Sequence, residues 1–245
     1  MCVAWAGRGV SVALVAPRRR NPISEDFFSY FGVPRSFSFS VVSSPDFYAP
    51  GILDGVVVAV KSFLASLRLS FFALRYSADI FYSRDELVVY WLSFFKKKVF
   101  WEAHTYSPKR RLFYQRFIKR SVQVVAISQG LKDTLVSEGF NPNTILVAPD
   151  GVALQEFDID LEKDAARKKC NLQEHGTIVL YAGHLFDWKG ADVMAQAAQR
   201  VPETTFVFVG GTDSDVTKFK KKFGNENNIV IVGRQPHQAI PVFLK

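Results

Sequence analysis

Short apolar runs alternate with longer, helix-periodic segments through most of this chain. Segments 10–16, 79–82, 98–103, 122–127 and 144–147 are rich in Val, Ile and Phe and are apolar at consecutive positions. That is the pattern of parallel strands covered on both faces. Between them, 54–76, 85–95, 108–120 and 129–138 carry helical spacing. The alternation predicts a doubly wound parallel sheet. Pro149-Asp150-Gly151 breaks it, and 153–174 is polar and charged, reading as a linker plus a short helix. A second series follows, with a strand from Thr177 to Leu180, strands at 204–209 and 229–232, and helices at 191–200 and 215–223. The expected fold class is α/β with two Rossmann-like domains, 1–151 and 152–245, the second incomplete. Residues 1–9 read as the tail of a helix, and a helix begun after Pro236 stops at Lys245. The expectation is thus a chain cut at both ends. Ligands of such sheets bind beyond the carboxyl ends of the strands, so two such domains facing each other would form a cleft.

The chain is 48% hydrophobic over 245 residues, enough for real cores and not the composition of a disordered chain. Its net charge is +8, which suits an anionic partner: nucleotide phosphates, anionic lipid headgroups or nucleic acid. A basic soluble protein with no such partner has the same balance. Cys2 and Cys170 are the two cysteines. They are too few for a disulfide framework, and no Cys/His spacing resembles a metal site, so a reducing, cytoplasmic setting is expected. No transmembrane helix is expected, because Lys61 and Arg68 interrupt the apolar stretch 55–74 and 87–95 is about half the roughly 20 residues needed. No signal peptide is expected either, since the arginines follow the apolar run instead of preceding it. The clusters Arg18–Arg20, Lys96–Lys98, Lys109–Arg111 and Lys220–Lys222 are short and separate. They lack interleaved aromatics or a DNA-reading helix, so nucleic acid is an unlikely partner.

The richest local signal for chemistry is Tyr181-Ala182-Gly183-His184-Leu185-Phe186-Asp187-Trp188-Lys189-Gly190. A strand ends in glycine, a short loop follows, and a lysine stands beside a helix start. Backbone N–H groups and the helix dipole favour an anion there, and Lys189 adds a compact positive charge. Gly183 and Gly190 fit a tight turn or close ligand approach. The bland reading is a solvated lysine and two turn glycines.

In the order and spacing of several segments the chain resembles the family 4 glycosyltransferases, which have the two-domain GT-B fold. Gly183-His184-Leu185 with Asp187-Trp188-Lys189-Gly190 resembles that family's donor-phosphate loop. Ala126-Ile127-Ser128-Gln129-Gly130-Leu131-Lys132 resembles its late N-domain strand and following helix, and Val147-Ala148-Pro149-Asp150-Gly151-Val152 its interdomain segment. Trp101-Glu102-Ala103-His104 resembles its Glu-x-His element. Tyr82-Ser83-Arg84-Asp85 and Gly233-Arg234-Gln235-Pro236-His237 are weaker matches.

The resemblance implies a retaining, metal-independent transfer of a sugar from a nucleotide-diphosphate sugar, with no cofactor. The acceptor would be a glycan or lipid-linked glycan at the cell surface, and the enzyme cytoplasmic or peripheral at the inner face of the membrane. It implies Gly183, His184, Lys189 and Gly190 at the donor diphosphate. His104 and Glu102 would serve the reacting centre, with Arg84, Ser128, Asp150 and Gly151 as possible cleft residues. His184 stands where many members carry Arg, and Asp150 where Asn is usual. The family's carboxylate-rich element would lie beyond Lys245, and its glycine-rich loop after the first strand is absent.

For Glu102 a role in core support or an ion pair is as good a reading as acceptor contact. For Arg84 a surface salt bridge with Asp85 or Glu86 is equally open. Phe71-Phe72 and similar stretches are expected in the core, with docking on an anionic membrane as the alternative. The rival functions are an inactive truncated remnant and another GT-B enzyme, such as a sugar-nucleotide epimerase.

Overall fold

A computed structural model describes residues 1–20, 24–47, 54–95 and 98–245. It divides into two compact units, Met1–Asp150 and Gly151–Lys245.

The first unit runs α1 (Cys2–Ala6), β1 (Ala13–Pro17), α2 (Phe27–Phe31), β2 (Ser38–Val42), α3 (Asp54–Ala73), β3 (Phe81–Ser83), α4 (Glu86–Phe95), β4 (Val99–Ala103), α5 (Arg111–Lys119), β5 (Gln123–Ala126), α6 (Gln129–Ser137) and β6 (Ile145–Val147). Strands β3-β4-β5-β6 form one sheet in that order, and every ladder in it is parallel. Each step to the next strand is made through a helix, as parallel pairing requires. The core is built on this sheet. Trp101 of β4 is buried and stacks on Tyr114 of α5 at 5.3 Å, with Phe117 edge-on at 5.4 Å. Val89, Val124 and Leu135 close the space around them.

The single sheet expected for this unit is not what forms. Strand β1 pairs in parallel with β2 as a separate two-stranded sheet, and the three residues of β3 pair with β4. Neither β2 nor α2 was expected. Ser-Phe-Ser-Val-Val alternates polar and apolar residues, as a half-exposed edge strand does, and lacks the continuous apolar run of the others. Helix α2 is short but well signalled: the Asp26 side chain accepts from the Phe28 N–H, and Gly32 ends the helix at φ 61°.

The second unit comprises α7 (Leu154–Phe157), α8 (Lys163–Lys169), β7 (Thr177–Ala182), α9 (Ala191–Ala198), β8 (Thr204–Val209), α10 (Asp213–Phe223), β9 (Ile229–Gly233) and α11 (Ile240–Leu244). Its sheet is parallel in the order β7-β8-β9. The stretch expected as a linker with one short helix holds two, α7 and α8. Phe206, Phe208, Phe219 and Phe223 form a core with the small face of α9, Ala191, Ala195 and Ala198. Helix α10 begins in a capping box, Thr212 and Asp215 each bonding the other's backbone N–H.

Helix α3 is long and apolar enough, by length and composition, to cross a membrane over Gly55–Ala73. It packs instead against α4, and Lys61 on its inner side is buried in an ion pair with Asp46 at 3.4 Å. Phe71, expected in the core, is 60% exposed. Of the basic cluster Lys96–Lys98, residues 96 and 97 lie outside the described set.

Candidate functional site

Polar groups gather at the carboxyl ends of the parallel strands of the first unit. Arg84 follows β3, Glu102 and His104 lie at the end of β4, Ser128 follows β5, and Asp150 follows β6. Glu102 is 4% exposed, one residue before the end of its strand. A carboxylate there must be paired. Its Oε1 accepts from the Arg84 guanidinium at 2.7 Å and lies 2.8 Å from His104 Nε2. Arg84 also lies 3.9 Å from Asp150, which joins three strand ends into one charged cluster. Burial pushes the Glu102 carboxyl up, but Arg84, His104 and the nearby Tyr82 hydroxyl outweigh it and hold it below its usual value. The same contacts raise Tyr82 above the ordinary tyrosine range, burial first and then Glu102. The bond to Glu102 is the main reason Arg84 is raised.

An ionised carboxylate only accepts, so His104 Nε2 carries the proton that faces it. Nδ1 is the ring nitrogen left for a ligand. Glu102 thereby fixes the tautomer and the ring. Its other oxygen, Oε2, is buried with no partner in hydrogen-bond geometry among the described residues. Such an orphan costs about 1–3 kcal/mol, and natural proteins tolerate few of them.

Ser128 is exposed and occupied otherwise: its hydroxyl caps α6 by accepting from the Leu131 N–H. Gly151 is exposed, and a Cβ added there would meet nothing within 4 Å. The surface pairs considered for Arg84 do not form. Glu86 is buried and bonds Arg110 at 2.6 Å and the Tyr114 hydroxyl at 2.9 Å. Glu102, His104 and Asp150 bring ligand atoms within 4.8 Å of one another, the one such group among the described residues that could hold a metal ion. The Arg84 guanidinium pairs with two of the same three groups, Glu102 at 2.7 Å and Asp150 at 3.9 Å.

The second unit presents a different surface. Strand β7 ends at Ala182; the next residue, Gly183, bonds Val209 O through its N–H, and the Tyr181 hydroxyl donates to His184 O at 2.7 Å. Leu185 is buried and anchors the loop to the α9 face. His184 and residues 186–189 are exposed, and Gly183 and Gly190 are half-buried. His184 stacks on Phe186 at 4.9 Å, Phe186 on Trp188 at 5.9 Å, and Lys189 Nζ lies 5.2 Å from the Trp188 ring.

Gly190 opens α9 at φ 80°, in the left-handed region, with no side-chain cap. The first N–H groups of α9 therefore receive no capping side chain, unlike those of α10. Asp192 in the first turn would repel an anion, but its carboxylate is paired with Lys222. Glycines clear the floor of the site: a Cβ on Gly210, after β8, would stand 2.2 Å from Gly183 O. The signal for this close approach in the sequence is the pair Gly210-Gly211 directly after a strand.

Residues 162–245, most of this unit, match the family described as Glycosyl transferases group 1. A colanic acid biosynthesis glycosyl transferase of Escherichia coli (strain K12), WcaI, is 23% identical over 128 residues, 50% of this chain and 31% of the relative. The match thus spans about a third of that protein's length. Among solved structures, Anabaena HepE in complex with UDP-glucose aligns over 95% of this chain and 71% of its own, with a TM-score of 0.64 and 15% identity. Sucrose-phosphate synthase from Thermosynechococcus elongatus aligns over 99% of this chain and 65% of its own, with a TM-score of 0.73 and 16% identity. At these identities the structures show the fold: α/β, Rossmann-like and of the GT-B type.

Proposed function

We propose that this chain serves the transfer of a sugar from a nucleotide-diphosphate sugar to a glycan or lipid-linked acceptor. The observation that carries the reading is the α9 N-terminus, left uncapped behind Gly190, flanked by Lys189, and lying in the family-matched segment. The donor diphosphate would sit on these N–H groups, with Lys189 and His184 beside it. Negative charge builds on the leaving diphosphate as the sugar–oxygen bond breaks. Fixed dipoles and a lysine already in place stabilise it without reorganisation.

On the first unit, His104 would hydrogen-bond the sugar through Nδ1, with Glu102 and Arg84 holding the ring. Retention of configuration and independence of metal ions are part of this proposal. The arginine-filled cluster at Glu102 supports the second. UDP-glucose in the Anabaena HepE complex supports the donor class, and the colanic acid biosynthesis for which the Escherichia coli relative is named supports a cell-surface glycan. A cytoplasmic site of action, at the membrane's inner face, follows from the same reading.

Incubation with radiolabelled UDP-glucose and a lipid-linked acceptor fraction, with product stereochemistry read by NMR, tests it. The expected result is label in acceptor with its anomeric configuration kept. Interconversion of the nucleotide sugar without transfer would mean an epimerase. Neither transfer nor interconversion, from a folded protein that binds UDP, would leave a non-catalytic remnant. Inverted product would sink the retaining assignment.

A further inference from the structure

The turns that follow β3 and β4 are joined twice, in opposite senses. Arg84, after β3, donates to Glu102 of β4. Arg110, after β4, donates back to Glu86, the first residue of α4 after β3, at 2.6 Å. Each strand end thus gives the other one arginine and one glutamate. Both carboxylates are buried, Glu102 at 4% exposure and Glu86 at 7%, and both arginines reach them from the surface. A buried carboxylate holds such a partner firmly, because losing it would leave the charge unpaired. The two pairs differ in completeness. Glu102 Oε2 has no hydrogen-bond partner among the described residues, whereas both oxygens of Glu86 are taken. Arg110 occupies Oε2, and the Tyr114 hydroxyl donates to Oε1 at 2.9 Å.

The Glu86 pair is anchored on both sides. Asp85 caps α4, its carboxylate accepting from the Leu87 N–H at 2.8 Å, so Glu86 leaves a settled helix start. Tyr114 is buried, with its ring stacked on Trp101 and 5.0 Å from the Tyr106 ring. Its hydroxyl accepts from the Ser107 N–H at 3.3 Å. Pro108–Arg110 form one tight turn, closed by the Arg110 N–H on Ser107 O. The segment that leaves His104 is therefore tied at three points: the Tyr106 ring, the Ser107 N–H and the Arg110 guanidinium. Every tie leads to Tyr114 or Glu86. The middle residue of the basic cluster Lys109–Arg111 is thereby committed to a buried acid.

We propose that Glu86, acting through Arg110 and Tyr114, is a positioning residue that sets the path of the chain after His104 and so the direction in which His104 Nδ1 points. Glu102 and Arg84 hold the ring from its Nε2 side. Glu86 holds the backbone that leaves the same residue. The inference rests on the reading of His104 as the group that meets the sugar, and it names what keeps that group in place. The stake is large for a residue outside the site, because a misplacement of about 1 Å at a positioned group can cost roughly 10²-fold in rate.

The imidazole nitrogen and ring-proton NMR signals of His104 test it, read in isotope-labelled protein with no ligand added. His104→Gln identifies them among the four histidines. The wild type should show one tautomer, with its proton on Nε2. Arg110→Ala removes a side chain that is 51% exposed, so the chain stays folded, and it should shift or split the His104 signals. Arg110→Lys keeps a cation on Glu86 and should return them towards the wild type. Lys109→Ala, at the exposed neighbouring position, should leave them unmoved. His104 signals in Arg110→Ala that match the wild type would overturn the proposal. So would signals displaced as far in Arg110→Lys as in Arg110→Ala, because the charge on Glu86 would then not hold the turn. These signals need neither donor nor acceptor. A wild type that transfers no sugar would therefore count against the function proposed above, while the ring signals still decide this inference.

Discussion

The two polar regions at the strand ends solve opposite problems. The first-unit cluster closes on itself. Arg84 pairs with Glu102 and Asp150, Glu102 pairs also with His104, and what remains for a ligand is a ring nitrogen in a fixed tautomer. The α9 loop is left open. Its helix start has no side-chain cap, its lysine lies over an aromatic ring and not on an acid, and its one first-turn carboxylate is neutralised from α10. The contrast separates two ways of using charge. A buried carboxylate with arginine and histidine partners orients a group. An open set of N–H dipoles with an exposed cation waits for an anion that arrives with the substrate. Orientation needs pairing in the empty protein, whereas anion binding needs its absence.

The largest expected effect is at the open site. Lys189→Ala should reduce donor turnover by roughly 10²-fold or more, as loss of one preorganised donor does elsewhere. A change within twofold would remove the lysine from the phosphate site and erase the contrast. The closed cluster should respond in stability first. Arg84→Ala leaves a buried carboxylate with only His104 and the Tyr82 hydroxyl and should cost about 2 kcal/mol in urea unfolding, reduced from the full buried-pair value because Arg84 is largely exposed. No loss of stability would show that water already serves Glu102.

Gly190→Ala places a side chain at φ 80° and should cost about 1 kcal/mol. UDP affinity should fall with it, since the first N–H groups of α9 would be re-aimed. Unchanged affinity would mean that the diphosphate lies elsewhere.

The smallest effect is in pH dependence. Glu102 titrates below its usual value in the folded protein. Its contribution is therefore fully present above the unfolded carboxyl pKa and is lost as pH falls through the lower folded value. The stability gap between wild type and Glu102→Gln should narrow below about pH 4.5. A gap that persists unchanged into acid would contradict an ionised Glu102.

The sequence made the strands of the second unit legible because they are long and uniformly apolar, and 204–209 was read to the residue. It hid β2, where serines alternate with apolar residues, and the split of the first sheet, which depends on which edges find partners. The α9 loop could be read because strand, glycine, lysine and helix are contiguous. The closed cluster could be read only in pieces. Glu102 stood out as a charge inside a buried run, but its pairing with Arg84 joins residues 18 positions apart through the β3–β4 register, and spacing carries no trace of that. Local geometry also gave Ser128 a capping duty and turned Phe71 outward. Those outcomes depend on which helix face finds a partner, and apolar content alone does not settle that.

The account rests on an open α9 N-terminus that receives a diphosphate, and amide chemical shifts in an isotope-labelled sample test it directly. On addition of UDP, the backbone N–H signals of Gly183, Lys189, Gly190 and the first turn of α9 should move together and saturate, while those of the α10 first turn, already capped by Thr212 and Asp215, stay still. Saturating shifts confined to other strand ends, or no shift in the α9 loop, would contradict it.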